Sequence, residues 1–380
     1  MSWAANWWPK GAAGRELLEL LIFSRIGLVL AGWVGLARLS WKYYSPTYNV
    51  SSNPLILMWT RWDAMWYTGI AIHGYWFQAL AFFPLYPLLI AGLHWITFVP
   101  YPVAAIVVSN LALVGYTVVF YRLVYESFDG ELAIRAVWMA LMFPTAFFLS
   151  AAYTESLFLF LSVSAVLAAR RRRFVWSAIW IMLGTLTRNE GVFLVIPWIW
   201  AYYQQYGLRW SKALWAGLII PSGVLAFMGY QWADFGSPIA FIQAQSYWGR
   251  HITWPWVGII LALQQILKGS PLQPSAVLSM IDLSAALASM VLWWVGWRNR
   301  LPWDWLAYWG MLLVIDVSAP DPTGRSPLLS MSRLVLILFP SYVVMGQLVK
   351  NPSWQRGFQW VLPALQVTFF LVFATWHWIA

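Results

Sequence analysis

The chain has 380 residues, 61% of them hydrophobic and only 9% charged, with a formal net charge of +10. A soluble domain carries about 25% charged residues, so this composition excludes one of ordinary size. The absence of cysteine excludes disulfides, thiol nucleophiles and cysteine-held metals. The basic residues lie scattered through short loops, which argues against nucleic acid as a partner.

Apolar runs of about 18 or more residues, each able to cross a hydrocarbon core, recur from end to end. The first, near 17–37, exceeds the core of a signal peptide, lacks a cleavage site and reads as a retained helix. Basic clusters mark the cytoplasmic side: Lys10 with Arg15, Arg122 to Arg135, Arg170 to Arg173, Arg209 with Lys212, Arg298 with Arg300, and Lys350 with Arg356. Two crossings and an outer turn must separate each pair of neighbouring clusters. This rule predicts about eleven spans, near 17–37, 103–123, 133–148, 154–169, 174–187, 191–207, 213–232, 276–297, 303–318, 333–348 and 357–378. The segments 81–98 and 256–268 have no place in that count. They are expected to lie on the outer face or to be re-entrant. The fold expected is one all-α polytopic domain over residues 1–380, without a soluble appendage, whose first outer loop is 39–102.

The outer turns then hold the polar residues that composition does not explain. In "RWDAMWYTGIAIHGY", a helix over 62–73 puts Asp63, Trp66, Tyr67 and Ile70 on one side. A carboxylate among aromatic rings at a water–lipid boundary can take a proton from a hydroxyl. It can equally be an ion-pair partner of Arg61 or a helix cap, and the residues alone leave this open. Arg188 in "LTRNEG", Arg250 in "YWGRH" and Arg333 in "SMSR" carry forks suited to phosphate oxygens. For Arg188, a local pair with Glu190 is the plainer alternative. Glu155, in "YTESLF", is either a site residue or a favourable charge at a helix start. The histidines lack zinc-site spacing, and no nucleotide loop or nucleophile elbow is present.

The stretch "RWDAMWYTGIAIHGY" followed by "FFPLYPLL" resembles the PIG-V family of mannosyltransferases and its prokaryotic relatives, in the GT-C class of membrane glycosyltransferases. "FPTAFFLSAAYTESLF", "LTRNEG", "FGSPIAFIQAQSYWGR" and "SMSRLVLILFP" follow in order, so the likeness covers about residues 55–340. Leu334 stands where the family usually has tyrosine, and Asn189 where many relatives have proline.

The resemblance implies a GT-C-like fold and transfer of a sugar from a polyprenyl-phosphate carrier to an acceptor hydroxyl at the outer or lumenal face. Asp63 matches the expected catalytic base. Arg188 and Arg333 match the donor-phosphate residues, with Arg61, Trp62, Trp66, Tyr67, Glu155, Glu190, Gln245, Trp248 and Arg250 as further donor or substrate contacts. No cofactor is expected, although Asp63, Glu155 and Glu190 offer oxygen ligands of the kind Mg²⁺ or Mn²⁺ takes. The acceptor is a glycolipid, a glycan or a protein. Short loops and the lack of extra domains point to a prokaryotic plasma membrane, the ER membrane being the eukaryotic counterpart. The rival reading is a transporter or flippase of a lipid-linked sugar or other anionic lipid, which should show polar residues at mid-membrane and repeated halves.

Overall fold

A computed structural model describes residues 8–9, 11–39, 50–249, 251–270, 273–321, 326–350 and 352–379, with the side chains of 352 and 353 excepted. Every regular element among them is helical. In lipid a backbone must satisfy its polar groups within the segment, and a helix does so. Five helices are long and apolar enough to cross a membrane: Ala12–Arg38, Tyr101–Ser127, Lys212–Phe235, Pro274–Arg298 and Trp354–Ala374. A sixth arises if Met331–Ile337 and Phe339–Leu348, bent by 85°, count as one span. The protein is therefore a multi-pass α-helical membrane protein.

All eleven segments expected to span are helical, but several are short. Gly130–Met142, Phe174–Thr185 and Val195–Tyr206 have 13, 12 and 12 residues, hence about 20 Å at 1.5 Å per residue. The hydrocarbon core is about 30 Å thick. Their shortness has a local cause: 3-10 turns at Ala146–Leu149 and Asn189–Leu194 replace α-helix where the chain approaches the site described below. The two unassigned segments are also helices, Leu85–Thr97 and Pro255–Lys268, of 13 and 14 residues.

The centre of the molecule is Glu155–Arg170, whose side chains are buried on nearly every face. A helix apolar all round belongs inside its bundle. Tyr101–Ser127 and Phe174–Thr185 pack along it, and Gly130–Met142 fits between Tyr101–Ser127 and Phe339–Leu348. Ala12–Arg38 and Pro352–Ala374 pair at the periphery, with Phe23 and Trp33 exposed as lipid-facing residues would be.

Candidate active site

Asp63 precedes the helix Ala64–His73 but makes no side-chain cap bond. Its carboxylate accepts instead from Arg333, with Nη1 2.6 Å from Oδ2. Nor does it pair with Arg61, whose Nε and Nη2 both donate to the Ala374 carbonyl, at 3.1 and 2.8 Å. The backbone between them is strained: Trp62 has φ 54°, in the left-handed region that costs a non-glycine residue about 1–2 kcal/mol. Tyr153 spans this turn, donating to the Arg61 carbonyl at 3.0 Å and accepting from the Asp63 amide at 3.2 Å.

Arg333 is aimed by a second built turn. Ser330 has φ 62°. The Ser332 amide donates to Asp282 Oδ1 at 3.0 Å, and the Ser332 carbonyl accepts from Thr145 at 2.9 Å. With the peptide groups beside it held from both sides, Arg333 extends over the rings of Phe148 and Tyr153. Its Nε lies 3.6 Å from Glu155 Oε1.

Glu155 opens the central helix and is 1% exposed. Its Oε1 also accepts from Arg188 Nη1 at 3.2 Å, and Arg188 Nη2 donates to Glu190 at 2.9 Å. Asp63, Arg333, Glu155, Arg188 and Glu190 thus form one alternating chain of charges. A buried ion that loses its partner costs about 3–5 kcal/mol, and alternation gives each of these five an opposite neighbour. Burial lowers the Arg188 pKa, but Glu190 and Glu155 outweigh burial and hold it above the ordinary value. Arg188 is therefore a permanent cation. The turn carrying Arg188 depends on Gly191: a Cβ there would stand 2.4 Å from the Gly184 carbonyl carbon.

These charges floor a cleft of about 540 Å³. Asp63, Arg188, Glu190 and Arg333 line it, together with Trp62, Trp66, Tyr67, Gln245 and Trp248. Trp66 stacks on Phe82 and meets Trp248 edge-on, at ring distances of 5.5 and 4.9 Å. Tyr67, on the next face of the helix, contacts Thr154 Oγ1 at 3.4 Å. Burial, with Glu155 and Asp63 nearby, raises the Tyr67 pKa, and burial raises that of Tyr153. Both phenols stay protonated at working pH, so neither is a candidate base.

Not every candidate residue meets the cleft. Arg61 is fully buried, turned away from the cleft, and lies over Trp376 at 4.5 Å. Glu155 stands behind the arginines rather than on the wall. Arg250 lies outside the described residues. The carboxylates of Asp63, Glu155 and Glu190 are interleaved with guanidiniums, and among the described residues no three His, Asp or Glu side chains gather as a metal-ligating group.

Sequence reasoning missed Tyr153, and also Trp378 and Asp321, which line the cleft. Tyr153 had a signal, two residues before Glu155 in a quoted motif. Trp378 had none, being one of 31 tryptophans.

Fold and site together define a polytopic α-helical membrane protein with a charged cleft under an aromatic wall. Residues 45–206 match the family model described as Mannosyltransferase (PIG-V), and the resemblance read from the motifs is borne out over that stretch. The chain is also similar to GPI mannosyltransferase 2 of Cryptococcus neoformans var. neoformans serotype D, in strains JEC21 and B-3501A. Each is 30% identical over 162 residues, covering 39% of this chain and 37% of the relative. The chain thus spans little more than a third of the length of these curated relatives. Gln245, Trp248 and Arg333 lie beyond the matched stretch.

Proposed function

We propose that the protein is an inverting glycosyltransferase that moves a sugar, mannose by its family likeness, from a polyprenyl-phosphate carrier to an acceptor hydroxyl. The observation that supports this best is the cleft, where the Asp63 carboxylate lies beside the guanidiniums of Arg333 and Arg188 under indole and phenyl rings, with Glu190 tied to Arg188 and Asp321 on the same wall. The acceptor oxygen bonds to the anomeric carbon from the face opposite the phosphate. The carbon–oxygen bond to phosphate breaks, its electron pair leaves with the phosphate, and Asp63 takes the acceptor proton. Phosphate departs as a stable anion, so no general acid is needed. A glycosidase, by contrast, uses two carboxylates flanking the bond.

Arg333 has two successive duties in this scheme. It engages Asp63 Oδ2 in the structure, and a donor phosphate offers its fork a competing pair of oxygens. Transfer of Arg333 to the phosphate frees Asp63 for the acceptor, so the donor binds before the acceptor. Arg188 supports the charge growing on the leaving phosphate. The cleft faces the outer side of the membrane, a prokaryotic plasma membrane by the shortness of the loops.

The test is incubation of purified protein with radiolabelled polyprenyl-phosphate mannose and a panel of glycolipid acceptors. Sugar transfer, or slow donor hydrolysis, is the expected result. Donor binding with neither would favour a carrier of lipid-linked sugars.

A further inference from the structure

We propose that residues 374–378 form a clamp that positions Asp63, with Arg61 and Trp62 as the parts it grips; this rests on the reading of Asp63 as the base. Three consecutive residues are anchored. Arg61 donates twice to the Ala374 carbonyl, among the last of the helix Pro352–Ala374. Such terminal carbonyls lack donors within the helix and carry its negative pole. Arg61 therefore satisfies a helix C-terminus while the Trp376 ring covers its other side. Trp62 meets Trp376 and Trp378 edge-on, at 5.4 and 5.2 Å. Asp63 is held by its amide on Tyr153.

Trp62 and Trp376, which meet in this contact, both have left-handed backbones, φ 54° and 64°. Such strain persists only where the surroundings over-determine the conformation, and here each residue is part of what holds the other. The same segment also reaches the cleft, because Trp378 lines it beside Asp63. Arg61 is fully buried and lines no part of the cleft. Its role is to position Asp63.

The test compares full-length wild type with Arg61→Met, Arg61→Lys, Trp376→Ala and the milder Trp378→Ala. Amide exchange is followed in the peptide covering residues 59–66. Loss of the grip in Arg61→Met or Trp376→Ala should speed exchange at the Asp63 amide about tenfold or more. Arg61→Lys, which keeps a donor to Ala374 and a cation under Trp376, should restore most of the protection. In the transfer assay the same variants should lose about tenfold or more in kcat with the donor KM unchanged within about twofold. Unchanged exchange in Arg61→Met, Trp376→Ala and Trp378→Ala alike would overturn the clamp. So would Arg61→Met raising the donor KM at unchanged kcat, the mark of a donor contact. If wild type transfers no sugar, the proposed function falls, and the exchange rates still judge the clamp.

Discussion

Asp63 and Arg333 are 270 positions apart in sequence and 2.6 Å apart in space, and that pair decides how the site is read. A carboxylate held by a guanidinium can be inert ballast or a base waiting to be released. The two differ in what Arg333→Met does. For ballast, the loss leaves Asp63 exposed and transfer little changed. For a released base, donor binding and leaving-group support both vanish, and kcat/KM for the donor should fall about 10²-fold or more. Glu155 makes a different prediction, because it lines no part of the cleft. Replacing it with Leu leaves Arg188 with a single carboxylate and removes the second from Arg333. Both arginines keep one carboxylate, so the detergent-solubilised protein should lose about 1.5–3 kcal/mol of stability, read as an earlier thermal transition. At this scale the sequence was informative about residue type: Asp63, Arg188 and Arg333 stand out because charge is so scarce. It could not tell that Arg61 turns away, since neighbours on a chain carry no information about which carbonyl each side chain meets.

The elements that build the site are turns more than helices. Trp62, Ser330 and Trp376 all take left-handed conformations, and Arg188 sits between Gly184 and Gly191, whose backbones nearly touch. Gly191→Ala should therefore displace the Arg188 turn. The expected readout is a rise in donor KM together with a lower thermal transition. An unaltered protein would show that the backbone contact can relax at no cost. Helix positions were legible because apolar runs and basic clusters alternate along the chain. The 3-10 turns at Ala146–Leu149 and Asn189–Leu194 were not, since tertiary packing of the charged chain shortens helices that composition alone would extend. The helix Ala64–His73 was expected from position 62 onward, and begins after the strained turn.

For the molecule as a whole, the proposal sets Asp63, Arg188 and Arg333 on the outer face, opposite the run Arg170 to Arg173. The chain contains no cysteine, so single cysteines report on sidedness without background. Asn189→Cys, exposed on the cleft wall, should react with an impermeant maleimide added outside intact cells. Gln205→Cys, beside the basic run through the bond from Arg172, should react only after permeabilisation. The reverse pattern would invert the topology and with it the source of the donor. The central claim is tested most directly by Asp63→Asn, which keeps the shape of the side chain and removes its charge. With wild type active on polyprenyl-phosphate mannose, folded Asp63→Asn should still bind the donor but transfer sugar about 10²–10⁴-fold more slowly. Transfer at a near-wild-type rate by that variant would contradict the account.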